Sequence, residues 1–181
     1  MLQAPQTLIT ERLMLRRPQL TDAPALFEEY CQDPEVTKYL IWRPHKDIEE
    51  TLNFLTGALA RWESGEELTW AITHKGNDRV IGMVACRLRG HMADIGYVVA
   101  RKYWNQGYVT EAVRVVVEWA ANLESIFRVW AVCDTANGAS ARVLEKVGMS
   151  REGVLRRWIL HPNVSAEPRD CFVYSKVRID G

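Results

Sequence analysis

No CxxC pair occurs among the four cysteines, Cys31, Cys86, Cys133 and Cys171, and the last three sit inside apolar runs. This argues against a zinc ribbon or a disulfide framework, and for reduced core residues without a metal site. No apolar run approaches the roughly 18 residues of a membrane span. The opening MLQAPQTLITERL lacks the apolar core of a signal peptide. Charge of one sign is also missing: 23 Lys and Arg balance 23 Asp and Glu. That removes the usual reason to expect nucleic acid or an anionic membrane as partner. There is no internal repeat, low-complexity tract or dividing linker in the 181 residues, so one domain over 1–181 is expected, soluble and cytoplasmic. Neither a Walker A loop, GxxxxGKS/T, nor a dinucleotide fingerprint, GxGxxG, is present.

What is present alternates between two periods. LITERLMLRRP reads as a first strand. Thr21 and Asp22 are cap candidates for a short helix over 22–31, and DPEVTKYLIWRPHK reads as irregular, with Pro34 and Pro44 as breakers. Ile48, Leu52, Leu55, Leu59 and Trp62 fall at helical spacing behind Asp47. LTWAITHK, RVIGMVACRLR and ADIGYVVA, joined by tight turns, predict three consecutive antiparallel strands. A helix from Val109 to Asn122 follows. FRVWAVC then reads as a strand buried on both faces, Asn137 as the cap of a helix that stops at Gly148, and GVLRRWILH and DCFVYSKVRI as closing strands. The expected order is β-α-α-β-β-β-α-β-α-β-β, an α/β layered domain with a crossover from its fourth to its fifth strand. Trp62, Trp119 and Trp130 fit core positions, and His74 and His91 lie by turns, where solvation is expected.

YWNQGYVTEA, residues 103–112, lies between a strand and a helix. A helix start leaves backbone N–H groups without partners and favours negative charge. A glycine just before it allows close approach, so strand, Gly107 loop and helix form an anion-binding arrangement suited to a pyrophosphate. A simple turn at Gly107 is the competing reading. A second segment, NGASARVLEKVGM at 137–149, follows the next strand.

Together these segments resemble the GNAT superfamily of acetyl-CoA-dependent N-acetyltransferases, and within it the bacterial ribosomal-protein N-terminal acetyltransferases. IGYVVARKYWNQGYVTEAV and N-x-x-S-x-x-V-L-E-K-V-G-M carry the resemblance, and LITERLMLRRP, YLIWRP, REGVLRR and RDCFVYS extend it over nearly the whole chain. It implies a mixed, mostly antiparallel sheet of about seven strands flanked by about four helices, with the fourth and fifth strands splayed. The pantetheine arm of acetyl-CoA would lie in that gap along Tyr97, Val98 and Val99. The family's phosphate loop, Q/R-x-x-G-x-G/A, maps onto Trp104, Asn105, Gln106, Gly107, Tyr108 and Val109, with Thr110 next. Trp104 and Val109 depart from the pattern, and β-branched Val109 crowds the approach. Asn137, Ser140 and Lys146 are implied as further coenzyme contacts.

Acetyl transfer to an amine by direct attack needs a proton acceptor and help for the departing thiolate, but no protein nucleophile. Many members place a tyrosine for the thiolate where this chain has Leu144. Ser140, one turn earlier, matches the serine of this branch and becomes the catalytic candidate. Asp94 stands where the branch often carries Glu and is the candidate base, reaching the amine through a water. The alternation of ADIGYVV puts Asp94, Gly96 and Val98 on one face and Ile95, Tyr97 and Val99 on the other. Acceptor walls are expected from Trp42, Asp94 and Trp158. His45 and His161 border that region, and HPNVSAEPRD is a candidate lid. The acceptor stays open among a protein or peptide N-terminus, an amino acid and a small amine, as does assembly, with a homodimer one possible form. A catalytically weak acetyl-CoA sensor, and a plain interaction domain, are the competing functions.

Overall fold

A computed structural model describes residues 4–178. The expected strand over LITERLMLRRP divides into β1 (Thr7–Ile9) and β2 (Leu13–Arg16), paired antiparallel. Thr10 makes the corner: its N–H donates to the Leu13 carbonyl at 3.0 Å, and its hydroxyl oxygen accepts the Leu13 N–H at 3.0 Å. The helix expected over 22–31 is a 3₁₀ turn, a short α1 (Ala23–Leu26) and a π turn over Phe27–Cys31. The stretch read as irregular holds α2 (Pro34–Thr37), capped by the Asp33 carboxylate. α3 (Ile48–Ser64) starts at Asp47, whose carboxylate accepts the Glu50 N–H, and ends at Gly65 with φ +75°.

The meander follows as β3 (Leu68–His74), β4 (Asn77–Arg89) and β5 (Met92–Val99). Then come α4 (Tyr108–Ala121), β6 (Arg128–Asp134), α5 (Gly138–Lys146), β7 (Ser150–Ile159) and β8 (Arg169–Val177). The closing strand was expected to reach Ile179, which lies outside the described residues. The eight strands form one sheet in the order β1-β2-β3-β4-β5-β6-β8-β7. Every neighbouring pair is antiparallel except β5–β6, the pair joined by the α4 crossover. The eighth strand, against about seven expected, comes from the β1–β2 corner.

Each face of the sheet carries its own apolar cluster. On one, Leu15, Trp70, Ile95, Val129, Ala131 and Cys133 pack with Val113, Val116 and Val117 of α4 and Leu144 of α5. On the other, Ala71, Val80 and Met83 pack with Leu26, Tyr30 and Leu55 of the helices before β3. Trp62, Trp70 and Trp119 meet edge to face, with centroids 5.2 and 5.4 Å apart. Three expectations change. β6 alternates, with Val129, Ala131 and Cys133 buried but Trp130 and Val132 half-buried, because no helix covers their face. Trp130 is therefore not a core residue. His74, expected in solvent, packs against the rings of Tyr103 and Tyr108 at 5.4 and 4.8 Å. All four cysteines are buried and free.

Candidate active site

β5 and β6 pair only at Met92↔Arg128, Ala93↔Val129 and Asp94↔Trp130, and then separate. The chain leaves β6 for α5 and β5 for the loop before α4, so the two strands open into a fork whose closed end is Asp94. A Cβ on Gly82 would lie 2.4 Å from the Val98 carbonyl, so Val98 faces β4. Backbone groups alternate along a strand, so Tyr97 and Val99 turn theirs toward the gap. The Val99 carbonyl accepts the Trp104 indole N–H at 3.0 Å. Of the three residues assigned to the pantetheine arm, Tyr97 thus offers both backbone groups, Val99 its N–H, and Val98 neither.

At the open end the chain turns through Asn105 (φ +59°) and Gly107 (φ +81°) into α4. The first helical bond runs from the Glu111 N–H to the Gly107 carbonyl at 3.0 Å. The N–H groups of Tyr108, Val109 and Thr110 therefore have no acceptor within the helix and face the loop. Side chains hold this shape from behind. Gln106 donates to the Lys102 carbonyl at 2.7 Å, and Arg12 Nη1 to the Gln106 carbonyl at 3.0 Å. Glu111 accepts from the Thr10 hydroxyl at 2.5 Å and from Arg12 N and Nε at 2.8 and 2.7 Å. Burial alone would raise the Glu111 carboxyl, but Thr10 and Arg12 hold it below the usual range. Tyr108 turns its ring away, under the Arg12 guanidinium at 4.3 Å, and Val109 packs on the core. Gly107, Thr110, Arg114 and Lys146 share a depression of about 310 Å³ with Glu11 and Glu111.

On the helix face of the fork, Asn137 caps α5 by accepting the Ser140 N–H at 3.2 Å. The Ser140 Oγ lies 2.7 Å from the Tyr97 hydroxyl, which also lies 3.2 Å from the Ser140 carbonyl. Burial pushes the Tyr97 phenol up, against the pull of Ser140. Burial likewise pushes the neighbouring Cys133 thiol up to about 11. Leu144 is 1% exposed and belongs to the core. The alternation of ADIGYVV puts Tyr97 on the face opposite Asp94, with Ile95 and Val99, but carries no sign that its phenol partners Ser140.

Asp94 lies on the opposite face. Its Oδ2 accepts from Arg87 Nη1 at 2.9 Å, and Arg87 Nε meets Glu67 at 2.5 Å. Arg87 also covers Gly96, whose missing Cβ would lie 3.6 Å from Nη1. Asp94 and Tyr97, the partner of Ser140, thus lie on opposite faces of β5, three residues or about 10 Å apart along the strand.

The expected lid is strapped down. Asn163 donates to the carbonyls of Thr37 and Trp42 at 2.8 and 2.7 Å. Asp134, at the end of β6, accepts from Arg169 Nε at 2.5 Å and from the Ala136 N–H at 2.8 Å. His161 is 3% exposed, edge-on to Tyr39, with Nε2 3.8 Å from Asp134 Oδ2. Neither ring nitrogen has a hydrogen-bond partner among the described residues. Burial lowers its basicity against the pull of Asp134. Burial does the same to His45, whose Nδ1 lies 2.7 Å from the Thr51 hydroxyl. Trp42 packs against His45 with ring centroids 4.9 Å apart and planes tilted by 39°, whereas Trp158 is 52% exposed on β7. The structure gives no contact that brings these two tryptophans together.

Residues 12–150 match the family model described as an acetyltransferase (GNAT) domain. The chain is 31% identical over 172 residues to the uncharacterized N-acetyltransferase YoaA of Bacillus subtilis (strain 168), covering 93% of this chain and 95% of that protein. The solved GNAT-family acetyltransferase from Bacillus anthracis is 28% identical, with a TM-score of 0.82 and coverage of 94% and 98%. The microcin C7 self-immunity acetyltransferase MccE, solved with acetyl-CoA and AMP, shares the fold at 23% identity, with a TM-score of 0.85 and coverage of 97% and 98%. The fork and the uncapped helix start thus belong to a known architecture. The chain is a member of the GNAT family and is an acetyltransferase.

Proposed function

We propose that the chain, as one domain over residues 1–181, transfers the acetyl group of acetyl-CoA to a primary amine by direct attack in a ternary complex. The carrying observation is the fork: a strand edge open at both backbone groups of Tyr97 and at the Val99 N–H runs from the uncapped start of α4 to the Ser140 hydroxyl. The residues present fit the co-substrate. The N–H groups of Tyr108, Val109 and Thr110, with Lys146 nearby, suit its phosphates. The edge of β5 suits the amide chain of its pantetheine arm. MccE, which shares the fold, is known with acetyl-CoA bound. Ser140 would hydrogen-bond the departing sulfur, and Asp94 would take the amine proton through a water. Trp42, Trp158 and the strapped loop would border an acceptor that is a peptide or protein N-terminus, an amino acid or a small amine. The expected setting is the cytoplasm, without nucleic acid, membrane or metal.

A second reading, a coenzyme-binding sensor, is favoured by Leu144 and by the hold of Arg87 on Asp94. Thiol release from acetyl-CoA across N-terminal peptides, amino acids and aminoglycosides separates the two. Turnover with an amine supports the enzyme. Coenzyme-dependent stabilisation without turnover, about 2.7 kcal/mol at 100 times the dissociation constant, supports the sensor.

A further inference from the structure

We propose that Tyr97 is a positioning residue for Ser140: its phenol donates to the Ser140 Oγ and so turns the one proton of that hydroxyl toward the sulfur that departs. This deepens the reading above and rests on it.

A serine hydroxyl carries one proton and rotates freely, and in the first turn of a helix it tends to spend that proton on nearby backbone. Here Asn137 occupies the Ser140 N–H, and the Tyr97 hydroxyl stands 2.7 Å from Oγ. A phenol is more acidic than an aliphatic hydroxyl and is the better donor of the two. Burial keeps it protonated. Once Oγ accepts from Tyr97, its own proton is available to a third group, and aligned hydroxyls strengthen one another. The other buried phenol nearby does not compete, because Tyr174 donates to Glu145 at 3.0 Å. Tyr97 also belongs to the strand edge that faces the gap, so one residue sets both the coenzyme's path and the hydroxyl beside its end. A buried phenol needs some acceptor in any fold. The phenol has two acceptors in reach, the Ser140 carbonyl at 3.2 Å and Oγ at 2.7 Å, and the proposal gives its single proton to the shorter contact.

Over one turnover the nitrogen lone pair forms the C–N bond and the C–S pair leaves on sulfur. Nitrogen gives up one proton, sulfur gains one, and both hydroxyls end as they began.

Free CoA is the probe. Its thiol is titrated while bound to the full chain, by the ultraviolet absorbance of the thiolate, in wild type, Tyr97→Phe, Ser140→Ala and the double variant. A donor to the thiolate favours the charged form, so each single variant raises the pKa of the bound CoA thiol by about one pH unit. The double variant goes no higher than Ser140→Ala, and CoA affinity at neutral pH stays within about threefold of wild type. With the best acceptor from the amine panel, Tyr97→Phe lowers kcat about tenfold with little change in the acetyl-CoA KM. A wild-type titration and kcat in Tyr97→Phe would overturn the proposal, as would effects that multiply with those of Ser140→Ala. Should Tyr97→Phe misfold, the Ser140→Ala titration decides: an unshifted thiol overturns it. A wild-type chain that binds no CoA overturns instead the coenzyme reading on which it rests.

Discussion

The two sides of the fork are built from different parts of the chain's chemistry. On the α4 side the groups offered to a ligand are main-chain N–H groups, at Tyr108, Val109 and Thr110, and the free edge of β5. Side chains there work from behind: Gln106 and Arg12 tie the loop, and Glu111 gathers Thr10 and Arg12 into three hydrogen bonds. On the other side, residues 39–46 and 157–169 offer side chains, and the backbone is occupied in strapping one loop to the other through Asn163. A main-chain site tolerates a change of side chain but not of backbone path. That explains why Trp104 and Val109 can depart from the family pattern: Trp104 covers the Val99 carbonyl, and Val109 packs on the core. A side-chain site changes its lining with each substitution.

The largest expected effect comes from bending the main-chain side. Gly107 holds φ +81°, and an added Cβ would lie 3.3 Å from Arg12 Nη2. A left-handed conformation costs an ordinary residue about 1–2 kcal/mol, and a β-branched one also displaces Arg12 from the Gln106 carbonyl. Gly107→Val should weaken acetyl-CoA binding about 100-fold by calorimetry, a loss of roughly 2.7 kcal/mol, with the circular dichroism of the folded chain retained. Wild-type affinity in a folded variant would break the distinction between the two sides.

Asp94 stands at the closed end of the fork, where the two sides meet, and its expected effect is next in size. Asp94→Asn still accepts a hydrogen bond from Arg87 but removes the charge. A peptide α-amine, with a pKa of about 8, is partly neutral at pH 7 and needs only modest help. We expect kcat/KM with a peptide acceptor to fall about tenfold near pH 7 and to recover much of the loss toward pH 9, as the amine deprotonates unaided. Parallel profiles without a deficit would exclude Asp94 as the base. A deficit that persists at pH 9 would make it a charge that positions the acceptor.

The same division decides what was legible in the sequence. α4 could be read because its apolar positions recur at helical spacing behind Gly107, and α5 because Asn137 caps its start and Gly148 marks its stop. The meander could be read from its tight turns. The corner between β1 and β2 could not, since Thr10 turns the chain with its own hydroxyl and leaves the alternation around it unbroken. The apolar run of β6 hid which face a helix would cover, so Trp130 was taken for core. TERL and TEA showed up as two separate motifs. Their connection, Glu111 bonded to Thr10 and Arg12, spans about a hundred positions and carries no local signature. Tyr97 and Ser140 share that difficulty: periodicity assigns a face, not a partner 43 residues away. On the loop side almost nothing was legible, because no period announces the strap made by half-buried Asn163 or the burial of His161.

Asn163 tests that loop side directly. Asn163→Ala leaves the Thr37 and Trp42 carbonyls without their donor, at a cost of about 1–3 kcal/mol where such groups stay dry. The strap loosens without touching α4. The acceptor KM should rise about fivefold while the acetyl-CoA KM stays at its wild-type value. Equal changes in both would show that the two sides are mechanically one.

His161 gives the smallest effect and concerns stability alone. Burial holds its folded pKa below the usual histidine value. As pH falls through about 6.5 the unfolded chain takes up this proton first. Stability therefore falls with pH in that window and is unaffected by His161 above it. His45 shifts the same way for the same reason. Asp134, which Arg169 holds below the usual carboxylate range against the effect of its burial, adds a loss that begins as pH falls through the usual carboxylate range, well below this window, and grows as pH drops further. His161→Phe keeps a ring edge against Tyr39 and removes two nitrogens that have no partner. Between pH 7.5 and 5.5 the variant's Tm should decline less steeply than that of wild type, with the remaining slope due to His45. The difference should be smaller than the ~2–4 °C that one kcal/mol produces in a chain of this size. Identical slopes would mean that the loop opens enough at pH 5.5 for His161 to charge in water, and the strap made by Asn163 would then be weaker than its two hydrogen bonds suggest.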